Sequence, residues 1–157
     1  MHELGWRIVS ALCLATIAML ALWSGPLPFA ALVAAVGGIM CWEWGRLVRP
    51  PGLDAIFLVH LLAVVAAVAL AAAAWLGTAV LAVIAAAVAI VVLGWGRDPV
   101  LSALGPIYVG LPAVALVWLR GDVGYGFAAV LLVLACVWMH DTFAMLVGKA
   151  VGGPRLW

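Results

Sequence analysis

Six long apolar runs, separated by short polar breaks, constrain this chain more than any other feature. The runs cover residues 8–23, 29–44, 55–76, 79–95, 101–119 and 125–147. A helix rises 1.5 Å per residue and needs about 20 residues to cross a hydrocarbon core about 30 Å thick. The runs are close to that length. The sequence therefore predicts a polytopic, all-α bundle of about six transmembrane helices.

Composition excludes a water-soluble alternative. The chain has 157 residues, of which 70% are hydrophobic and 8% are charged, with a net charge of +1. Soluble domains carry about 25% charged residues, and each helix of a soluble bundle has a polar face. The six runs are apolar on all sides. Because no soluble domain, repeat or low-complexity linker interrupts them, we expect residues 1–157 to form a single transmembrane domain.

One break and one run carry helix-disrupting residues. Gly77-Thr78 separates the third run from the fourth without a charge. The fifth run contains Gly105-Pro106 and Leu111-Pro112, and proline inside a membrane helix frees a backbone carbonyl. We expect the fifth helix to be kinked or broken.

The distribution of basic residues predicts the orientation. If the amino terminus is cytoplasmic, only Arg120 lies on the opposite side of the membrane. The other six of the seven basic residues then lie on the cytoplasmic side: Arg7, Arg46, Arg49, Arg97, Lys149 and Arg155. Cytoplasmic loops carry the excess of Lys and Arg. We therefore expect both termini in the cytoplasm.

Asp141 is the sharpest functional candidate, because it is a carboxylate within the sixth apolar run. An ionisable group in a membrane helix costs a few kcal/mol and is a functional candidate by default. It would line a polar cavity and bind a divalent cation or a substrate group. Magnesium suits this position, since it uses one or two carboxylates plus substrate phosphates. The alternative is a structural hydrogen bond to a neighbouring helix. The adjacent His140 points about 100° away from Asp141 and need not share a ligand.

A glycine-rich, basic segment follows Asp141 and contains Gly148, Lys149, Gly152 and Arg155. Glycines let backbone amides approach an anion, and the two cations would add charge. The spacing is not that of a nucleotide-binding P-loop. A helix that ends in glycine at a basic cytoplasmic surface is an equally good interpretation.

Two further polar residues have structural explanations. His60 lies early in the third run and is expected to be a packing residue with satisfied polar atoms. Glu43 precedes Arg46 by three residues, a spacing that favours a local ion pair.

The final segment resembles bacterial phosphatidate cytidylyltransferases, which are CDP-diacylglycerol synthases. The resemblance rests on Trp138-x-x-Asp141-Thr142-x-Ala144, followed by Gly148-Lys149 and Gly152-Gly153-Pro154-Arg155-Leu156. Three earlier pieces agree with the family in order along the chain. They are Arg7-Ile8-Val9-Ser10-Ala11, Trp42-Glu43-Trp44-x-Arg46-Leu47, and the segment from Gly105 to Pro112.

The resemblance implies a nucleotidyltransferase of phospholipid biosynthesis that condenses CTP with phosphatidic acid to give CDP-diacylglycerol and pyrophosphate. Asp141 would be catalytic and would bind Mg²⁺, while Gly148, Lys149, Gly152 and Arg155 would contact phosphates. The expected partners are CTP, phosphatidic acid and the lipid bilayer, without nucleic acid, and a homodimer is left open. The expected location is the bacterial inner membrane, with the site on the cytoplasmic side.

The resemblance also predicts an incomplete site. The later family signatures, an S-P-K-K-T stretch and a segment with G-H-G-G and D-R, do not occur in this sequence. We therefore expect the chain to be an amino-terminal portion that is inactive by itself.

Two alternatives come from other functional classes. The chain could be a small transporter or channel subunit, with Asp141 as an ion or proton site and the proline-containing fifth helix as a hinge. It could also be a membrane assembly protein without a catalytic role, as its Ala- and Gly-rich helices allow.

Overall fold

Six α-helices and no strand make up the part of the chain that the computed structural model describes, residues 2–49, 52–93 and 98–152. The helices are α1 (His2–Ser24), α2 (Pro26–Val48), α3 (Ala55–Ala72), α4 (Leu76–Leu93), α5 (Pro99–Arg120) and α6 (Gly126–Val151). The predicted all-α fold is confirmed, and each helix corresponds to one apolar run.

Five of these helices, α2 to α6, are long and apolar enough to cross a membrane. The apolar part of α1, Val9–Ser24, is shorter. As a helix it rises about 24 Å, less than a hydrocarbon core of about 30 Å. The described residues thus contain five full candidate spans and a shorter apolar helix, where the sequence predicted about six spans.

The packed part of the bundle consists of α2 to α5, and α1 and α6 contact it at the periphery. Small residues dominate its largest buried cluster, which includes Ala67, Ala71, Ala79 and Ala113. At Gly110 of α5, an added Cβ would lie 2.8 Å from a methyl group of Val83 in α4. Small side chains let membrane helices approach closely enough for van der Waals packing to hold them together.

Arg120 connects the end of α5 to the end of α1. Its Nε and Nη2 donate to the backbone oxygen of Leu22, at 3.2 and 2.9 Å. That oxygen belongs to the last turn of α1, where carbonyls lack a partner within the helix. The guanidinium also lies 5.9 Å from the ring centroid of Phe127 in α6. One side chain therefore links three helices at this end of the bundle.

The connection between α3 and α4 differs from the prediction. The helix stops at Ala72, and Gly77 and Thr78 lie inside α4. Ala74 has a φ of 65°. The amide of Ala74 donates to the oxygen of Ala71, and the amide of Trp75 donates to that of Leu70. These two bonds define a Schellman motif, which usually has glycine in the left-handed position.

Of the predicted kink or break in the fifth helix, the break is wrong, because Pro99–Arg120 is one continuous helix with Pro106 and Pro112 inside it. Pro106 is fully buried between neighbouring helices. Tertiary packing thus holds the helical backbone around a residue that cannot donate a hydrogen bond.

We predict that Ala74→Gly stabilises the protein, because a left-handed conformation costs a residue with a Cβ about 1–2 kcal/mol. The free energy of unfolding, measured by denaturant titration in detergent micelles, should rise by about 1 kcal/mol. Ala73→Gly is the matched control, since Ala73 has a φ of −82° and should give no gain. A loss of stability in Ala74→Gly would contradict the assignment.

Candidate functional site

A partly buried ion pair closes the end of the bundle where α2 stops and α3 and α5 start, here called the Arg49 end. Nε and Nη2 of Arg49 donate to Oδ2 and Oδ1 of Asp54 at 3.1 and 3.4 Å. Nη1 donates to the hydroxyl of Ser102 at 3.2 Å. Arg49 is 8% exposed. The three side chains therefore join the end of α2 to the first turns of α3 and α5.

Asp54 has a second task as the N-cap of α3. Its Oδ1 accepts from the backbone amide of Phe57 at 2.8 Å, which satisfies one of the amides that a helix start leaves without a partner. Because Arg49 neutralises this carboxylate and is neutralised by it, the pair is suited to holding helices together. It does not offer an unpaired cation to a phosphate.

Aromatic residues continue this cluster toward the membrane interior. The indole Nε1 of Trp44 donates to the oxygen of Leu101 at 3.1 Å. The ring of Trp44 stacks on Tyr108 with centroids 5.3 Å apart. An added Cβ at Gly105 would lie 2.7 Å from atoms of both His60 and Trp44. Glycine is therefore needed for α5 to lie this close to α2 and α3.

Two structural expectations at this end are wrong. His60 is buried as predicted, at 1% exposure, but its Nε2 has no hydrogen-bond partner among the described residues. Glu43 and Arg46 are both exposed and do not form the expected ion pair. Arg49 and Asp54 form the ion pair that the described residues contain.

Asp141 lies in the second half of α6, which leaves the bundle. Val130 in the first half is fully buried, whereas all residues in 136–152 are exposed. Asp141 has no hydrogen bond or ion pair with the described residues. The alternative of a structural hydrogen bond to a neighbouring helix is therefore not observed within the described part of the chain.

Helix geometry nevertheless shows which face of α6 carries Asp141. It follows Leu134 by seven residues, and Gly148 follows it by another seven. An α-helix drifts only about 20° per seven residues, so these three residues form one stripe. Val130 and Leu134 of the same stripe pack with the hydrophobic cluster of α1, α2 and α5. Asp141 and Gly148 therefore extend, toward the Arg49 end, the face of α6 that contacts the bundle.

The other predicted site residues lie near the end of this helix. Lys149 is exposed and sits in the last turn of α6, and Gly152 is the C-cap residue with a φ of 65°. Lys149 projects about 80° away from Asp141 around the helix axis. Arg155 lies outside the described residues. The structure thus brings Asp141 and Gly148 to one face of α6, and Lys149 lies outside that face.

The described residues do not by themselves make a metal site. They contain no group of three or more His, Cys, Asp or Glu side chains that could bind a metal ion. Asp141 can offer one carboxylate to magnesium, which in proteins also binds waters and substrate phosphates.

The Arg49–Asp54–Ser102 cluster was not predicted from the sequence. Asp54 carries a recognisable signal, because an aspartate directly before an apolar run is a typical N-cap. Its pairing with Arg49 follows from the short turn between α2 and α3. Ser102 is 53 residues from Arg49 in sequence and has no local pattern that would indicate the contact.

Comparison with known proteins identifies the family of this chain. The sequence pattern of the cytidylyltransferase family matches residues 5–157. The chain belongs to the cytidylyltransferase family. The match includes α6 with Asp141, so the resemblance that the sequence motifs indicated is confirmed.

Curated relatives of the family have a more specific name. Phosphatidate cytidylyltransferases of Brucella abortus and Brucella suis are each 32% identical to this chain over 158 aligned residues. The alignment covers 99% of this chain and 58% of each relative. The chain thus spans a little more than half the length of the relatives it matches. No solved structure matches it.

We predict that Arg49→Ala lowers the free energy of unfolding by about 2–3 kcal/mol, because it leaves Asp54 and Ser102 without their partner. The value is below that for fully buried pairs, since the Asp54 side chain is 33% exposed. Denaturant titration in micelles measures the change. Arg46→Ala, three residues earlier and exposed, should stay within about 0.5 kcal/mol of the unaltered chain. Equal losses in the two variants would contradict a clamping role for Arg49.

Proposed function

We propose that this chain takes part in transferring a cytidylyl group from CTP to phosphatidic acid, which yields CDP-diacylglycerol and pyrophosphate. The match of residues 5–157 to the cytidylyltransferase family carries the proposal. The name of the Brucella relatives supports the choice of phosphatidic acid as acceptor. An unpaired carboxylate in a membrane helix adds support, because such a group is costly unless it serves a function.

The reaction joins two anions. A phosphate oxygen of phosphatidic acid attacks the α-phosphorus of CTP and forms a new P–O bond. The bond from that phosphorus to the oxygen bridging to the β-phosphate breaks, and pyrophosphate leaves with the electron pair. Phosphoryl-type transfers of this kind depend mainly on positioning and on charge neutralisation.

The roles that we propose for this chain follow from that requirement. Asp141 acts at the reacting phosphates, and Lys149 supplies positive charge about two turns further along, at the end of α6. Gly148 and Gly152 are proposed as phosphate contacts on the resemblance, and the space around both is open, since nothing lies within 4 Å of a Cβ added at either position. Arg155 is proposed as a further phosphate contact from the sequence alone.

Magnesium is proposed as the metal that Asp141 would help to bind. When bound, it would neutralise phosphate charge. Asp141 would offer it one carboxylate, and substrate phosphates would be further ligands.

The lipid substrate fits the setting of this site. The acyl chains of phosphatidic acid remain in the bilayer, while its head group reaches the membrane surface where CTP is dissolved. We propose a bacterial inner-membrane location with the site on the cytoplasmic side, as the distribution of basic residues predicts. A homodimer and the absence of nucleic acid as a partner stay predictions. The family match favours the enzyme over the transporter and assembly alternatives.

The proposal is tested in a chimera in which residues 1–157 replace the matching segment of the Brucella abortus relative. Membranes with this chimera should form CDP-diacylglycerol from CTP and phosphatidic acid. We expect Asp141→Asn to lower kcat/KM at least about 100-fold, equivalent to about 2.7 kcal/mol of barrier. The amide keeps the shape of the side chain but removes the charge.

Asp98→Asn is the matched control, because Asp98 is an exposed carboxylate whose side chain forms no cap hydrogen bond. It should keep full activity. Undiminished activity in Asp141→Asn, or no CTP-dependent product from a helical, membrane-inserted chimera, would contradict the proposal. We expect the 157-residue chain by itself to show no turnover, because the described residues contain no group of three or more His, Cys, Asp or Glu side chains that could bind a metal ion.

A further inference from the structure

An apolar groove lies between α1, α2, α5 and α6. It encloses about 430 Å³, within the range of about 300–1,000 Å³ that is typical of ligand pockets. Its walls come from Ala18 of α1, Val36 and Met40 of α2, Tyr108 and Pro112 of α5, and Leu134 of α6, among others. Side chains of four helices thus form a concave surface that carries almost no polar atoms.

The groove lies at membrane depth. It follows α2 from Phe29 to Met40, a rise of about 16 Å. This is about half the thickness of a hydrocarbon core. Apolar cavities of this kind do not retain water, and the surrounding medium is lipid. A hydrocarbon chain is therefore the ligand whose chemistry matches the walls.

One wall of the groove leads directly to the candidate site. Leu134 is on the same stripe of α6 as Asp141, which lies about 10 Å further toward the Arg49 end. At that end the groove is bounded by Tyr108, whose ring is held in place by stacking on Trp44. The groove thus reaches the same stripe of α6 as the carboxylate, about two turns before Asp141.

The charges beyond this end complement an anionic head group. Arg46 lies in the last turn of α2 and Lys149 in the last turn of α6, and both are exposed. α5 starts at the Arg49 end and α6 runs antiparallel to it, so α6 finishes at the Arg49 end. Both cations therefore lie at that end, beyond Asp141. A molecule with an apolar chain in the groove would have its polar end near these cations.

We propose that this groove binds one acyl chain of the anionic phospholipid substrate. The terminal methyl group lies toward Phe29 and Leu116, the ester end lies beside Tyr108, and the phosphate is at the level of Asp141 and the two cations. This inference rests on the proposed function, to which it adds a binding site for the lipid chain.

The test uses phosphatidic acid with a diazirine halfway along one acyl chain. The 157-residue chain is placed in phosphatidylcholine vesicles with this probe, irradiated, digested and mapped by mass spectrometry. Labels should concentrate on the groove residues of α2 and α5. Val36→Trp should lower this labelling at least about fivefold, because a large side chain overfills the cavity.

Ile39→Trp is the matched control. Ile39 is three residues from Val36 on α2 and is 61% exposed, against 47% for Val36, but it does not line the groove. The labelling pattern of Ile39→Trp should equal that of the unaltered chain. If Val36→Trp does not give a folded helical protein, Met40→Trp fills the same groove from its other end and should have the same effect.

Two results would overturn the inference. One is labelling spread evenly over the outward faces of the helices and unaffected by Val36→Trp. The other is equal labelling of the groove by a phosphatidylcholine probe with the same diazirine chain, without displacement by unlabelled phosphatidic acid, which would identify an ordinary bilayer lipid.

The test separates this inference from the proposed function, because labelling requires neither CTP nor turnover. Evenly spread labelling together with an active chimera would refute lipid binding in the groove but not the proposed reaction. Specific labelling together with an inactive, folded chimera would refute the reaction alone.

Discussion

The cost of leaving a polar group without a partner in hydrocarbon governs this structure. The chain has few charges, and three of the charged groups near the described helix ends, Arg49, Arg120 and Asp122, are bonded to the backbone or to other side chains. Arg49 is neutralised by Asp54 and bonded to Ser102. Arg120 satisfies a terminal carbonyl of α1, and Asp122 accepts from two backbone amides of the turn before α6. These contacts hold the ends of the helices together, while small apolar side chains pack their middles.

Asp141 differs from these residues, because it is a carboxylate within an apolar stretch of a helix rather than at a helix end. It lies ten residues before the end of α6, with five apolar residues, 143–147, between it and the last turn. It has no partner among the described residues, although the same face of α6 is packed against the bundle two turns earlier. A carboxylate in this position requires a polar environment on that face, which a phosphate-binding site with cations would provide. The packed helices α2 to α5 would be the support for such a site.

The sequence predicted those features that the bilayer itself imposes. Each apolar run became a helix, because backbone groups in hydrocarbon must be satisfied within the segment. Asp141 could be singled out because its residue type conflicts with its surroundings. Features set by tertiary contacts were not predictable. Ser102 is far from Arg49 in sequence, Ala74 takes a conformation more typical of glycine, and packing keeps α5 helical through Pro106 and Pro112. The groove, whose lining comes from four helices, has no sequence pattern of its own.

The central claim is that the Asp141 stripe of α6 faces a water-accessible cavity on the cytoplasmic side. Single cysteines placed on α6 of a chain without Cys13, Cys41 and Cys136 test this most directly, using a membrane-impermeant maleimide in right-side-out and inside-out vesicles. Asp141→Cys and Gly148→Cys should react from the cytoplasmic side. Met139→Cys and Phe143→Cys, on the opposite face of the helix, should not. Protection of position 141 from both sides, or equal reaction around the whole helix, would contradict the account.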